Sequence, residues 1–567
     1  MVRPPLRAAL LLAASTFFAP SAFAQPQPQP QPPAPCGTPS LSPSDTPCTA
    51  LAQTISNILS DPAVSRDHWG IAVLGMDGVP PYSLNGGQLF QPASNAKLYT
   101  TAAALALLGP QTVFQTRVLA QGAVTPDGRL TGNLALLGVG DANLSGRVLP
   151  YMPPPELQIP TPPPLIPPLP VVPPLRYLED LADQVAASGL KSVNGDIVGD
   201  DTFFPWQPYA ADWTIDDAVW GYGAPVSALS INDNQIEVTV TPGIAAGAPA
   251  TVTLDPAVPY YAIASSVTTG AKRSPNTVGI DRSAGSKTLR LYGSIAVGAQ
   301  PEVDDIAIED PAEYAAVAFK TMLEARGITV AGRARPRHRI LLDTENFLRE
   351  TSEVSGGTEQ QEALQQIIEP PDAAGPGAAA AIGQAKPLAT HTSPPLLQDI
   401  VVTNKVSQNL HAELLLRQLG AAKGRDGSIA QGARVVRQFL LGAGIDEHDF
   451  VFFDGSGLSG HDLVTPRATA RLLQYAAQQP WFADWKSSLP VGGVDRALEK
   501  RFSDPPLKGN VFAKTGTLGE ARALSGYVVC ASGRTVIFSI MAGNHPPQTH
   551  NDRDAIDRIV AAIAAEN

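Results

Sequence analysis

Apolar positions change their period along the chain. Between Ala50 and Leu59 they recur at helical spacing. Trp69–Leu74 is an apolar run ending in the turn Gly75–Gly78, and a second short strand is expected before Pro92. Thr100–Leu108 is apolar on nearly every face and stops at Gly109-Pro110, which predicts a buried helix. Beyond Pro110 the pattern shortens: Phe114–Ala120, Arg129–Leu137 and Gly195–Asp200 read as strands. Residues 235–300 alternate apolar and polar positions, rich in Val and Thr, as a β-rich module does. Pro311–Gly327 reads as an amphipathic helix and Ile328–Gly332 as a short strand. Helical patterning returns at Pro395–Val402 and runs through Asn404–Leu416, Pro466–Tyr475 and Asp554–Ala564, with strands at Val511–Thr517, Leu524–Cys530 and Arg534–Gly543. The α/β character of the first hundred residues thus resumes near residue 390. The simplest arrangement is one α/β domain interrupted by a long β-rich insertion.

Composition refines this picture. A chain of 567 residues is too long for one ordinary core, so roughly two to four domains are expected. Residues 149–175 hold 13 prolines, too many for a helix or a central strand, and read as a solvent-facing polyproline loop. Residues 352–386, rich in Gly, Ala, Gln and Glu, read as a flexible segment. Residues 1–24 have the form of a cleavable secretory signal: Arg3 and Arg7, the apolar run Ala8–Phe18, then Ala22-Phe23-Ala24. A Pro/Gln-rich linker, 25–36, follows. No later apolar run is long enough to span a bilayer, so no transmembrane anchor is expected, which leaves peripheral membrane association open. A net charge of −12 argues against nucleic acid as a partner. Cys36 and Cys48 are close enough in the exported part for a small disulfide loop, whereas Cys530 sits in an apolar strand as a buried thiol. Three Cys and eight scattered His give no metal-ligand spacing, and no cofactor motif stands out.

The chemistry begins at Pro92-Ala93-Ser94-Asn95-Ala96-Lys97, at the head of the buried helix. Ser94 and Lys97, three residues apart, share a helical face. Burial disfavours a charged lysine, and a neutral lysine can take the proton of a neighbouring serine. The same pair also suits a helix N-cap beside a snorkelling lysine. Two more motifs follow in order, Ser407-Gln408-Asn409 and Lys514-Thr515-Gly516. The ordered set resembles that of class A β-lactamases and penicillin-binding proteins. In that reading Ser94 is the nucleophile and Lys97 its base, with Lys514 as a second cation that lowers the Lys97 pKa further. Ser407 bridges the two lysines and passes a proton to the leaving amine. Asn409 holds Lys97 and an acyl-side amide. Lys514, Thr515, Gly516 and Thr517 bind the substrate backbone and its terminal carboxylate. The N–H groups of Ser94 and Thr517 form an oxyanion hole.

The likeness extends further. Phe90–Lys97, Tyr222–Leu229 with Asn232-Asp233-Asn234, Ser393–Leu396, Asp454–Ser459, Ala513–Leu518 and Ala523–Tyr527 together resemble the penicillin-binding protein 4 type of D-alanyl-D-alanine carboxypeptidase/endopeptidase, the class C low-molecular-mass penicillin-binding proteins. The resemblance covers most of residues 50–565. It implies an α/β (α+β) penicillin-recognising serine-transferase domain, an antiparallel sheet flanked by helices and interrupted by nested β-rich inserted domains. The expected limits are 37–117 and 390–567 for the catalytic domain, 118–210 and 335–389 for inserted domain II, and 211–334 for nested domain III. It implies a periplasmic hydrolase acting on peptidoglycan stem peptides, with β-lactam antibiotics as covalent inhibitors and no metal. Two positions depart from the family pattern. Gln408 stands where Asp is more usual, and Asp495-Arg496-Ala497-Leu498 stands where many members read Asp-Gly-Thr-Leu. Two other readings stay open at this point: a serine β-lactamase of the same superfold and a non-catalytic cell-wall-binding protein.

Overall fold

The computed structural model describes residues 49–151, 172–341, 347–352, 386–547 and 549–567. The signal segment 1–24, the linker 25–36, Cys36 and Cys48, and most of the stretches 149–175 and 352–386 lie outside the described residues.

The catalytic sheet has five antiparallel strands in the order Tyr82–Leu84, His68–Gly75, Thr535–Gly543, Ala521–Val529, Val511–Thr517. Alternate side chains serve two cores. Ile71, Val73, Leu524, Val528, Phe538 and Ile540 face the helices Ala50–Leu59 and Asn551–Glu566. Ala72, Leu74, Ala523, Tyr527, Ile537 and Met541 face a helical layer. That layer comprises Ala96–Leu108, Leu396–Lys405, Asn409–Lys423, Ile429–Gly442 and Pro466–Ala477. Burial on both faces explains why these strands read as continuous apolar runs. Cys530, in the first of these two cores, is a buried free thiol.

The chain leaves this layer on strand Gln115–Gln121 and returns on Ala389–Thr392. The two pair antiparallel, with Thr116 opposite His391. They belong to a second, mixed sheet in the order Ala334–Arg339, Ile197–Pro205, Asn133–Leu137, Gln115–Gln121, Ala389–Thr392. Smaller sheets built on Gln235–Thr241 and Thr288–Tyr292 enclose a core of their own, around Val238, Val240, Leu289 and Leu291.

The packing departs from the sequence reading in three places. Helix Pro311–Ala325 falls inside the expected module 211–334, yet Ala312, Ala315, Phe319 and Leu323 pack into the core of the second sheet, with Val118, Leu134 and Ile197. The expected strand Arg129–Leu137 is two strands, Arg129–Leu130 and Asn133–Leu137, which join different sheets. The expected helix Asn404–Leu416 is broken. One helix ends at Lys405 and the next starts at Asn409, capped by the Gln408 side chain accepting from the Leu410 N–H. Between them Ser407 sits at φ +63, a conformation that a continuous helix cannot contain.

Candidate active site

Ser94 lies in a single 3₁₀ turn, Ala93–Asn95, directly before the buried helix. The turn is clamped from both sides. Asn95 Nδ2 donates to the Lys514 carbonyl at 3.0 Å, tying it to the strand Val511–Thr517. Gly457, at φ +79, approaches so closely that a Cβ there would stand 1.8 Å from the Ala93 carbonyl oxygen. Only glycine meets both demands.

Lys97 is fully buried, and each of its three protons has an acceptor: Ser94 Oγ at 2.9 Å, Asn409 Oδ1 at 2.6 Å and the Ser456 carbonyl at 2.7 Å. Lys514, equally buried, donates to Ser407 Oγ at 2.8 Å and to the Thr515 carbonyl at 2.9 Å. Asn409 turns its amide N–H to the Tyr222 carbonyl at 2.9 Å, and Thr517 Oγ1 accepts from Arg522 Nη1 at 3.0 Å. All eight residues expected at the site therefore share one region. A cleft of about 780 Å³ opens over it, lined by Ser94, Tyr222, Ser407, Asn409, Thr515 and Thr517. The Lys514 strand is the edge of its sheet. The Pro490 carbonyl covers it at Ala513, and among the described residues no strand pairs with Lys514–Thr517 from the cleft side. That open backbone can receive an extended peptide as an added strand.

The electrostatics differ in part from the sequence reading. Burial lowers the Lys97 amine to about 7, against the opposing pull of Asp454, Glu413 and Asp462. Lys514 in turn is held well below the usual lysine range by burial and by the Lys97 charge, a repulsion that the two buried amines share. Ser407 does not bridge the two lysines: it bonds Lys514, while the Ser456 carbonyl takes the third Lys97 proton.

Several supporting residues carry no signal in the three motifs. Glu413 Oε1 accepts from the N–H groups of Gly455 and Ser456 at 2.8 and 2.9 Å. Asp454 accepts from those of Ser456, Gly457 and Ser459. Together they aim the Ser456 carbonyl at Lys97. Burial and neighbouring Asp454 push Glu413 up to about 7, and the same two causes hold Asp462 well above the usual carboxylate range. The run Asp454–Ser459 marks this loop in the sequence, and Glu413 lies one helical turn beyond Asn409. From the inserted part, Asp233 reaches the second motif. It accepts from Gln408 Nε2 at 3.1 Å, lies 3.2 Å from His411 Nε2 and pairs with Arg147. Burial works against this carboxylate, but Arg147 and His411 outweigh it and hold it below the usual range. Gln408 can donate to Asp233, which an aspartate there could do only if protonated; the departure from the family pattern is thus matched by its partner. Among the described residues no group of His, Cys, Asp or Glu could hold a metal ion, and no helix is long and apolar enough to cross a membrane.

An antiparallel sheet between helical layers, with a serine, two buried lysines and an open strand edge at its margin, defines a penicillin-recognising active-site serine hydrolase. The family model described as "D-Ala-D-Ala carboxypeptidase 3 (S13) family" matches residues 51–340 and 344–563, and the chain belongs to that family. It is a serine-type D-Ala-D-Ala carboxypeptidase. The chain is 33% identical over 520 residues to a D-alanyl-D-alanine carboxypeptidase of Actinomadura sp. (strain R39), covering 90% of this chain and 84% of the relative. It is 24% identical over 461 residues to the D-alanyl-D-alanine carboxypeptidase DacB of Haemophilus influenzae, covering 80% of each. The fold is that of penicillin binding protein 4 from H. influenzae, with a TM-score of 0.71 at 21% identity over 90% of this chain and 98% of that one.

Proposed function

We propose that the chain hydrolyses the amide bond between the terminal D-alanines of peptidoglycan stem peptides through an acyl-enzyme on Ser94. Neutral Lys97 takes the Ser94 hydroxyl proton as Oγ attacks the carbonyl carbon. The C–N bond breaks, and the proton that Lys97 took passes through Ser407 to the leaving amine, so Lys97 is neutral again. Water then attacks the ester as Lys97 takes its proton, and Lys97 returns that proton to Ser94 Oγ as the acid is released. Lys514 and the hydroxyls of Thr515 and Thr517 hold the terminal carboxylate. Asn409 and the open edge at Gly516–Thr517 hold the acyl peptide. The N–H groups of Ser94 and Thr517 stabilise the oxyanion. The observation that carries this reading is the 2.9 Å contact of Ser94 with a buried Lys97 whose other two protons are already committed.

The same machinery suits D-Ala–diaminopimelate cross-links, making the enzyme an endopeptidase as well. The carboxylates of Asp212, Asp216 and Asp217 on the Tyr222 side of the cleft favour a cationic group on the acyl portion. Export by the segment 1–24 to the periplasm, inhibition by β-lactams, and a catalytic domain interrupted by two nested insertions complete the proposal. The test is mass spectrometry of the mature protein with benzylpenicillin, beside D-Ala release from a pentapeptide. A stable adduct of one penicillin mass, absent in Ser94→Ala, together with D-Ala release, is expected. Antibiotic consumed without an adduct would point to a β-lactamase. Antibiotic left intact with no adduct would point to a non-catalytic protein.

A further inference from the structure

Two hollows of about 290 and 500 Å³ adjoin the site, the smaller lined by Ser407 and Lys514 and the larger by Gly516 and Thr517; both are lined by Thr515, Arg496 and Glu499, and neither by Asn409 or Tyr222. The larger adds Lys500, Arg501, Arg522 and Arg553, so its cations outnumber its single acid. Arg501 is committed to Asp557 at 2.6 Å and Arg522 to Asp552 at 2.8 Å, and Arg553 stands 3.4 Å from Asp554. Lys500 is exposed and makes no ion pair among the described residues, and Arg496 is exposed with its guanidinium over the Tyr151 ring. The cleft over Ser94 is thus lined by Asp212, Asp216, Asp217 and Glu520, whereas the larger adjoining hollow carries Arg496 and Lys500.

Arg496 is also held there at a cost. Its φ is +46, a left-handed conformation that residues with a side chain rarely adopt. The preceding residue fixes it in place. Buried Asp495 pairs with Lys405 at 2.5 Å and accepts from the Val491 N–H at 2.8 Å. An exposed arginine held at positive φ, on an anchored turn at the mouth of the site, has the form of a binding residue.

We propose that Arg496 and Lys500 bind carboxylates on the amine-side stem peptide of a cross-linked dimer, the part that departs when the cross-link is cut. The assignment rests on the acyl-enzyme reading above. Ser407, which protonates the leaving amine, also lines the smaller hollow, so a long group carried by that amine has this groove before it. A lone D-Ala leaving group ends at the rim, at Lys514 and Thr515, and carries no further carboxylate for Arg496 and Lys500. A cross-linked peptide brings further carboxylates, which the groove attracts and screening salt weakens.

The test compares two substrates with the same acyl part, a pentapeptide and a D-Ala–diaminopimelate cross-linked dimer, in wild type and in the double variant R496Q/K500Q. A third substrate is the same dimer with its amine-side carboxylates amidated, except the one beside the scissile amide, which Lys514 and Thr515 hold. Two exposed charges should lower the ratio of kcat/KM for dimer over pentapeptide by about tenfold. Amidation should lower the wild-type ratio similarly, and amidation and substitution together should cost no more than either alone, because both remove one interaction. An unchanged ratio, or losses that multiply, overturns the assignment. A wild type that releases D-Ala and forms the penicillin adduct but leaves the dimer whole also overturns it, with the carboxypeptidase reading intact. Loss of both activities and of the adduct overturns that reading too.

Discussion

Protonation of Lys97 should switch acylation off on the acid side of neutrality. The amine is fully buried and held at about 7 by that burial. Its neutral fraction falls from about nine-tenths at pH 8 to about one-hundredth at pH 5, so the second-order rate constant for acylation should fall about ninetyfold. The assay is the rate of adduct formation with a fluorescent penicillin at fixed ionic strength from pH 5 to pH 9. The curve should level off above pH 8, and the midpoint belongs to the coupled Lys97–Lys514 pair. A rate independent of pH would refute the reasoning. So would a rate still climbing at pH 9, as an ordinary lysine near about 10.4 requires. The same shift affects stability. Because the folded value lies below the unfolded one, the unfolded chain alone holds this proton between about pH 7 and the ordinary lysine range. Stability therefore rises with pH across that window, by about 2.3 kcal/mol between pH 7 and pH 9 for this group. Urea melts of wild type and Lys97→Met at both pH values isolate the term: the wild type should gain more stability than the variant, which keeps only the contribution of buried Lys514.

Other outcomes follow from the clamps around the serine. Gly457→Ala would drive a methyl group into the Ala93 carbonyl and displace the Ser94 turn, so acylation should fall about a hundredfold with helix content retained by circular dichroism. Asp233→Ala would leave Arg147, His411 and Gln408 facing a buried space without their acceptor. It should cost about 3–5 kcal/mol in a denaturant melt, and a loss within 1 kcal/mol (about the worth of an exposed pair) would count against the buried network. Asn95→Ala leaves the Lys514 carbonyl without its 3.0 Å donor and should cost about 1–3 kcal/mol, with slower acylation at unchanged pH midpoint.

Much of the catalytic set is legible in the chain because it is local. Ser94 and Lys97 are one turn apart, Ser407 and Asn409 flank a helix start, and Lys514–Thr517 is one strand, so spacing and residue type suffice to nominate them. The strands of the catalytic sheet are legible because burial on both faces makes them continuously apolar. What depends on partners hundreds of residues away is not. No local pattern tells that the third Lys97 proton goes to the Ser456 carbonyl, that Asp233 of the inserted part steadies Gln408, or that helix Pro311–Ala325 packs with the second sheet. Nor does it tell that Ser407 breaks a helix at φ +63, since an apolar pattern continues across the break. The sequence by itself determined which side chains have the chemistry. Tertiary structure decided their protonation, because a lysine becomes a base near neutrality only when packing from distant segments removes water from it.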